Sequence, residues 1–252
     1  MSAAADVVND FVLSVEGLTV SFDGFKAVDD LSFYIERDEV RAIIGPNGAG
    51  KTTVLDLISG RTRASRGSVT FSGKELTSMR EHEIVRAGVG RKFQTPSVFE
   101  SLTVFENLEM SYPSGRGALT AWAFRRTPKV IAKVEEIAEL IDMKDRLSEE
   151  AGQLSHGQKQ WLEIGMLLIQ EPMLMMLDEP VAGMSVGERE RTALLLKRIS
   201  KGRALLVVEH DMEFVAQIAN RVTVLHQGKW LAEGRMETVQ QDPKVIEVYL
   251  GH

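Results

Sequence analysis

"RAIIGPNGAGKTTVLDLISG", Arg41 to Gly60, is the stretch on which the fold of this chain turns. A short apolar run enters glycine, and KTTVLDLI follows with helical spacing until Gly60 stops it. Between the two, GPNGAGKTT (Gly45 to Thr53) fits the pattern G-x-x-x-x-G-K-[ST]. Each residue type there has a physical reason. Glycines at 45, 48 and 50 let backbone N–H groups turn inward around phosphate oxygens, where a Cβ would obstruct the turn. Pro46, Asn47 and Ala49 complete the loop. Lys51 brings a positive charge to the β- and γ-phosphates, and Thr52 offers a hydroxyl to Mg²⁺. The helix running on through Thr53 points its positive end at the same anion. A strand before and a helix after separate a phosphate loop from a chance glycine-rich turn.

Upstream, "LSVEGLTVSF" (13–22) and "LSFYIERDEV" (31–40) alternate with period two and are expected as strands, with "DGFKAVDD" (23–30) as a turn-rich connection. "RGSVTFSGKEL" (66–76) reads as a further exposed strand pair. Downstream, strand-like runs vanish after Gln94 and return near Met173, where apolar runs again alternate with helical ones. The expected architecture is a parallel α/β core with an antiparallel β subdomain and an inserted helical subdomain. The core would comprise 11–91 and 166–252, and the helical part 92–165, all within a single domain over 1–252.

Bulk composition narrows the function. The 252 residues are 44% hydrophobic and 26% charged, which is ordinary for a globular protein. A net charge of −6 argues against nucleic acid as the main partner. With no cysteine, thiolate catalysis, disulfides and cysteine-based zinc sites are excluded. The N-terminus lacks the pattern of a signal peptide, and no apolar run approaches the roughly 20 residues that span a bilayer. A cytoplasmic chain is expected.

Acidic residues supply the next clue. "MLMMLDEP" (173–180) delivers Asp178 and Glu179 from a buried strand to the sheet's carboxyl edge, where the phosphate loop also lies. Asp178 is placed to hold the Mg²⁺ shell, and Glu179 to orient and polarise the attacking water. Gln94 in "RKFQTP" and His210 in "LLVVEHDM" then read as sensors of the terminal phosphate at strand ends. "LSHGQ" (154–158) has Ser155 three residues ahead of Gln158, the spacing of a helix-starting capping box.

Taken in order, GPNGAGKT, Gln94, LSHGQ, MLMMLDE and His210 resemble the ATP-binding subunit of ABC transporters over nearly the whole chain. "FDGFKAVDDLSF", "RKFQTPSVFESLTVFENL", "EPVAGM" and "VIEVYLG" are similar to the branched-chain amino acid importer group. "LSHGQKQWLEIGMLL" looks most like the urea importer subunit. The resemblance implies ATP and Mg²⁺ as ligands, with Thr52, Gln94 and Asp178 around the metal. It implies adenine stacking on Phe22 with Val28 packed nearby, and Ser155, Gly157 and Gln158 touching ATP held by a second cassette. It further implies a second ATPase subunit (a heterodimer, with homodimers in isolation left open), two membrane permease subunits, and indirectly a solute-binding protein. The location implied is the inner face of the membrane. Alternatives are the ATPase of an exporter or a soluble ABC ATPase acting on DNA or ribosomes. Two departures stand out. His156 replaces the usual glycine, and its side chain is expected either to point away from the nucleotide or to serve at the interface with the partner cassette. Ser185 replaces the usual aspartate of "SALD", which questions any carboxylate link between paired active sites. "SVFESLTVFENL" (97–108) is read either as a docking stretch for the membrane subunits or as core of the helical lobe.

Overall fold

Strands β1 (Phe11–Phe22) and β2 (Phe25–Glu36) pair antiparallel from the first described residue, Phe22 lying opposite Phe25. The structure is a computed structural model that describes residues 11–92, 97–113 and 126–250. The expected connection over 23–30 is corrected: only Asp23 and Gly24 turn, with φ of 47° and 86°. Two successive positive φ values match the twist of a tight hairpin, so the strand resumes at once. β4 (Arg66–Phe71) and β5 (Lys74–Glu75) extend this pair into a four-stranded sheet of order β2-β1-β4-β5.

The second sheet has the order β10-β9-β3-β8-β7-β6. Its members are β3 (Val40–Ile44), β6 (Val89–Lys92), β7 (Leu174–Asp178), β8 (Ala204–Val208), β9 (Arg221–His226) and β10 (Lys229–Gly234). All neighbours are parallel except β10, which turns back on β9. Every residue of β3, β7 and β8 is buried, because both faces of the sheet are covered. Alternation decides which cover each residue meets. Leu174, Met176, Leu206 and Val208 join the core beneath the antiparallel sheet, with α1 (Lys51–Ile58) between. Met175, Leu177, Leu205 and Val207 face the opposite core, among the other helices.

That second core carries α3 (Val104–Ser111), α4 (Pro128–Leu140) and α5 (His156–Leu168), followed by α6 (Val186–Ile199) and α7 (Met212–Ile218). The first helix on the other side of the insertion, α2 (Glu81–Ala87), leads into β6. Each described α-helix of the insertion starts at a side-chain cap: Thr103 for α3, Thr127 followed by Pro128 for α4, and Ser155 for α5. Gly165 lets α5 approach its neighbours closely. A Cβ there would stand 2.7 Å from Ile141 Cδ1 and 3.0 Å from Leu108 Cδ2. The chain ends in α8 (Met236–Val239) and α9 (Pro243–Leu250), packed on β9 and β10. No described helix is long and apolar enough to cross a membrane.

Candidate functional site

At the carboxyl end of β3 the chain enters the loop Gly45–Gly50. Gly50 has a φ of 98°, and a Cβ on it would stand 2.3 Å from the Ala27 carbonyl oxygen. A Cβ on Gly45 would meet the Leu225 carbonyl at the same distance, 2.3 Å. Only glycine fits between these backbones. Ala49 is buried, and its carbonyl accepts from the Gly228 N–H at 3.0 Å, pinning the loop to the β9–β10 turn. Asn47 and Gly48 stay exposed. α1 begins with no side-chain cap and no acid in its first turn, so its leading N–H groups face outward ready for an anion.

Lys51 folds back over this loop. Its Nζ donates to the carbonyls of Gly45 at 2.8 Å and Pro46 at 3.1 Å. Burial pulls the ammonium pKa down, opposed by the carboxylates of Glu179 and Asp178. Thr52 follows Lys51 on α1, and Asp178 is a carboxylate only 4% exposed at the end of β7. Burial pushes the Asp178 pKa up, and the guanidinium of Arg91 opposes that shift from 3.8 Å away. Arg91 in turn donates to Asp56 at 2.7 Å and Ser59 at 2.8 Å on and beside α1. Among the described residues no cluster of three or more His, Asp or Glu side chains forms a protein-only metal cage.

Glu179 leaves β7 with a φ of 46°, a left-handed conformation that costs a non-glycine residue free energy. Its N–H donates to the Val208 carbonyl at 2.9 Å, which holds the turn against β8. Beyond β8, His210 Nδ1 stands 3.9 Å from Glu179 Oε1 and 3.9 Å from Glu209 Oε2. These separations exceed a hydrogen bond, but they bring the acid and the histidine to one edge. Glu209 is fully buried and accepts from the N–H groups of Val181 at 3.2 Å, His210 at 3.0 Å and Asp211 at 3.4 Å. It thereby fixes the segment after Glu179 relative to His210. Burial raises its pKa against those donors. Neither Arg91 nor Glu209 belongs to a recognisable motif, and no local spacing marks them for these roles.

Other expected residues fall in different places. Gln94 lies outside the described residues. Its flanks do not: the ammonium of Lys92, fully buried, stands 3.5 Å from Glu163 Oε2, and the Ser97 N–H donates to Glu163 Oε1 at 3.3 Å. Both sides of the Gln94 segment are therefore tied to α5. Phe22 is 49% exposed at the tip of the first hairpin, next to an exposed Phe25, leaving a ring face open for stacking. Val28 is fully buried opposite Val20 in the core under the loop. Register irregularities between Leu18 and Ser21 of β1 decide that facing.

The LSHGQ segment forms its capping box as expected. Ser155 Oγ accepts from the Gln158 N–H at 3.2 Å, and Gln158 Oε1 accepts from the Ser155 N–H at 2.8 Å. Ser185 caps α6 in the same way, with Glu188 as its partner.

Comparison with known proteins follows from this geometry. The ABC transporter family profile matches residues 28–182, and a profile for branched-chain amino acid ATP-binding cassette transporters matches 231–252. The probable branched-chain amino acid transport ATP-binding protein LivG of Archaeoglobus fulgidus is 34% identical over 249 residues, covering 95% of both chains. The high-affinity protein BraF of Pseudomonas aeruginosa is 33% identical, covering 95% of this chain and 98% of its own. Among solved structures, a nucleotide-free ATP-binding cassette from an ABC transporter superposes with a TM-score of 0.83 at 32% identity, covering 96% of this chain and 100% of that one. A cassette in its ADP conformation gives 0.83 at 33% identity, covering 96% and 99%. This chain belongs to the ATP-binding subunits of ABC transporters, an ATP-hydrolysing family, and within it to the branched-chain amino acid group.

Proposed function

We propose that the chain powers an importer for urea or a related small polar solute, such as a branched-chain amino acid or an amide. One observation carries the chemistry: the carboxyl edge of a single sheet holds the phosphate loop, the Thr52–Asp178 pair, Glu179 and His210 together. The affinity for ATP phosphates resides in Gly45 to Thr53, where Lys51 trades its two carbonyl partners for phosphate oxygens. A hydroxyl and a carboxylate, with no fuller cage of side chains among the described residues, suit Mg²⁺, which keeps few protein ligands and prefers phosphate and water oxygens. Thr52 and Asp178 hold it, with Gln94 beside them. When bound, the ion neutralises charge on the phosphates. Glu179 orients the attacking water and accepts its proton. His210 and Gln94 contact the terminal phosphate, and Phe22 stacks on adenine.

Ser155, Gly157 and Gln158 engage ATP held by a second cassette, expected to be a different chain. The same reading divides the protein into an α/β core (11–91 and 166–252) and a helical part (92–165) that meets two membrane permease subunits at the cytoplasmic face. A separate solute-binding protein delivers the cargo to those subunits. Phe99, in the segment ahead of α3, and Met110, in the last turn of α3, are 51% and 62% exposed and supply an apolar footing for that contact. The net charge of −6 fits no nucleic-acid role. The solute is tested by uptake of labelled urea and labelled leucine into cells lacking this chain and into cells with it restored. Restoration is expected to recover urea uptake; recovery of leucine uptake alone would assign the chain to amino acids.

A further inference from the structure

The loop after Glu179 and the start of α5 are joined by one carboxylate and one ring. Glu188, in the first turn of α6, accepts from the Ser185 N–H at 2.9 Å and the Ser185 hydroxyl at 2.7 Å through Oε2. Through Oε1 it accepts from the Ser155 hydroxyl at 3.3 Å. The backbone N–H and then the hydroxyl of Ser185 hold its carboxyl below the usual range, so it is an ionised acceptor at neutral pH. Alongside, His156 Nε2 stands 3.1 Å from the Ala182 carbonyl. The same ring nitrogen lies 3.3 Å from Gln160 Nε2 on the next turn of α5. The His156 ring lies against the chain's own loop 182–185. Gly157 completes the arrangement: a Cβ there would stand 2.4 Å from Glu188 Oε1. The carboxylate occupies the space a larger residue would need.

A serine hydroxyl has a single hydrogen to donate. In this structure Ser155 spends it on Glu188 and accepts from the Gln158 N–H. A phosphate oxygen arriving at the start of α5 needs the same hydrogen and carries the same sign of charge as Glu188. Glu188 and a terminal phosphate are thus alternative partners for one hydroxyl. We propose that Glu188 is a positioning residue that ties Ser155 to loop 182–185 until the terminal phosphate of ATP on a second cassette displaces it. The exchange removes one of the two ties between the start of α5 and the loop that follows Glu179, leaving the His156 strap. Occupancy of one ATP site is in this way felt beside the chain's own Glu179. The carboxylate link that Ser185 lacks is supplied one turn further along. The inference rests on the proposed contact of Ser155 with nucleotide.

Glu188→Gln tests it. An amide oxygen can still accept from the Ser185 N–H, so the cap of α6 survives. The amide nitrogen donates towards Ser155, which frees the hydroxyl hydrogen for phosphate. In the ATPase assembled from this chain and the subunits that co-purify with it, the ATP concentration giving half-maximal hydrolysis is expected to fall about three- to tenfold. In a Ser155→Ala background the same substitution should shift it by less than about 1.5-fold, since the shared hydroxyl is gone. An equal shift in both backgrounds, or none in either, overturns the proposal. If Ser155→Ala alone leaves half-saturation unchanged, the nucleotide contact of Ser155 fails and the inference falls with it. Glu188→Ala serves in the same cycle should Glu188→Gln not fold.

Discussion

Glu179→Gln is expected to bind ATP within about twofold of the parent while hydrolysing it about 10³-fold more slowly. The substitution is nearly isosteric. It keeps the backbone bond from residue 179 to the Val208 carbonyl and the left-handed turn that aims the side chain. What it removes is the proton acceptor. Phosphoryl transfer asks a protein mainly for positioning and charge neutralisation, and those parts remain in Lys51, Thr52 and Asp178. The loss therefore appears in turnover and not in binding. Calorimetric titration with ATP, paired with release of labelled phosphate in a single turnover, separates the two. Hydrolysis at the parental rate would remove Glu179 from the proposed role.

Lys51→Ala acts on the opposite term. Its expected effect is an ATP affinity weaker by about 100-fold, because a charge-assisted contact to the β- and γ-phosphates is lost. The fold should suffer far less. The ammonium satisfies two loop carbonyls, those of Gly45 and Pro46, and these can be rehydrated at a cost of about 1–2 kcal/mol. The thermal midpoint should thus drop by only a few degrees while titration with ATP shows little heat. Unchanged affinity would contradict the phosphate-loop reading.

The sequence was most legible where a function demands particular residue types within a few positions. The strand–loop–helix around Gly45 to Thr53, the Asp178–Glu179 strand end and the Ser155–Gln158 capping box are local patterns, and each appears in the structure. Features that depend on distant contacts were not legible. Arg91 reaches Asp56 and Asp178 only because β6 lies beside β7 and over α1. Glu188 meets Ser155 across 33 positions of chain, a distance that no spacing rule spans. The burial of Val28 opposite Val20 follows irregular pairing of β1 with β2, which no local pattern announces. His156 looked like a side chain turned aside from the motif. The structure gives it a partner, the Ala182 carbonyl, within the same chain.

ATP hydrolysis in this chain is proposed to serve a membrane importer. The most direct test is capture of the full-length chain from gently solubilised membranes, with every co-purifying protein identified by mass spectrometry. The account predicts integral membrane subunits together with a second ATP-binding cassette. Recovery of ribosomal or DNA-repair proteins without any membrane subunit would contradict it.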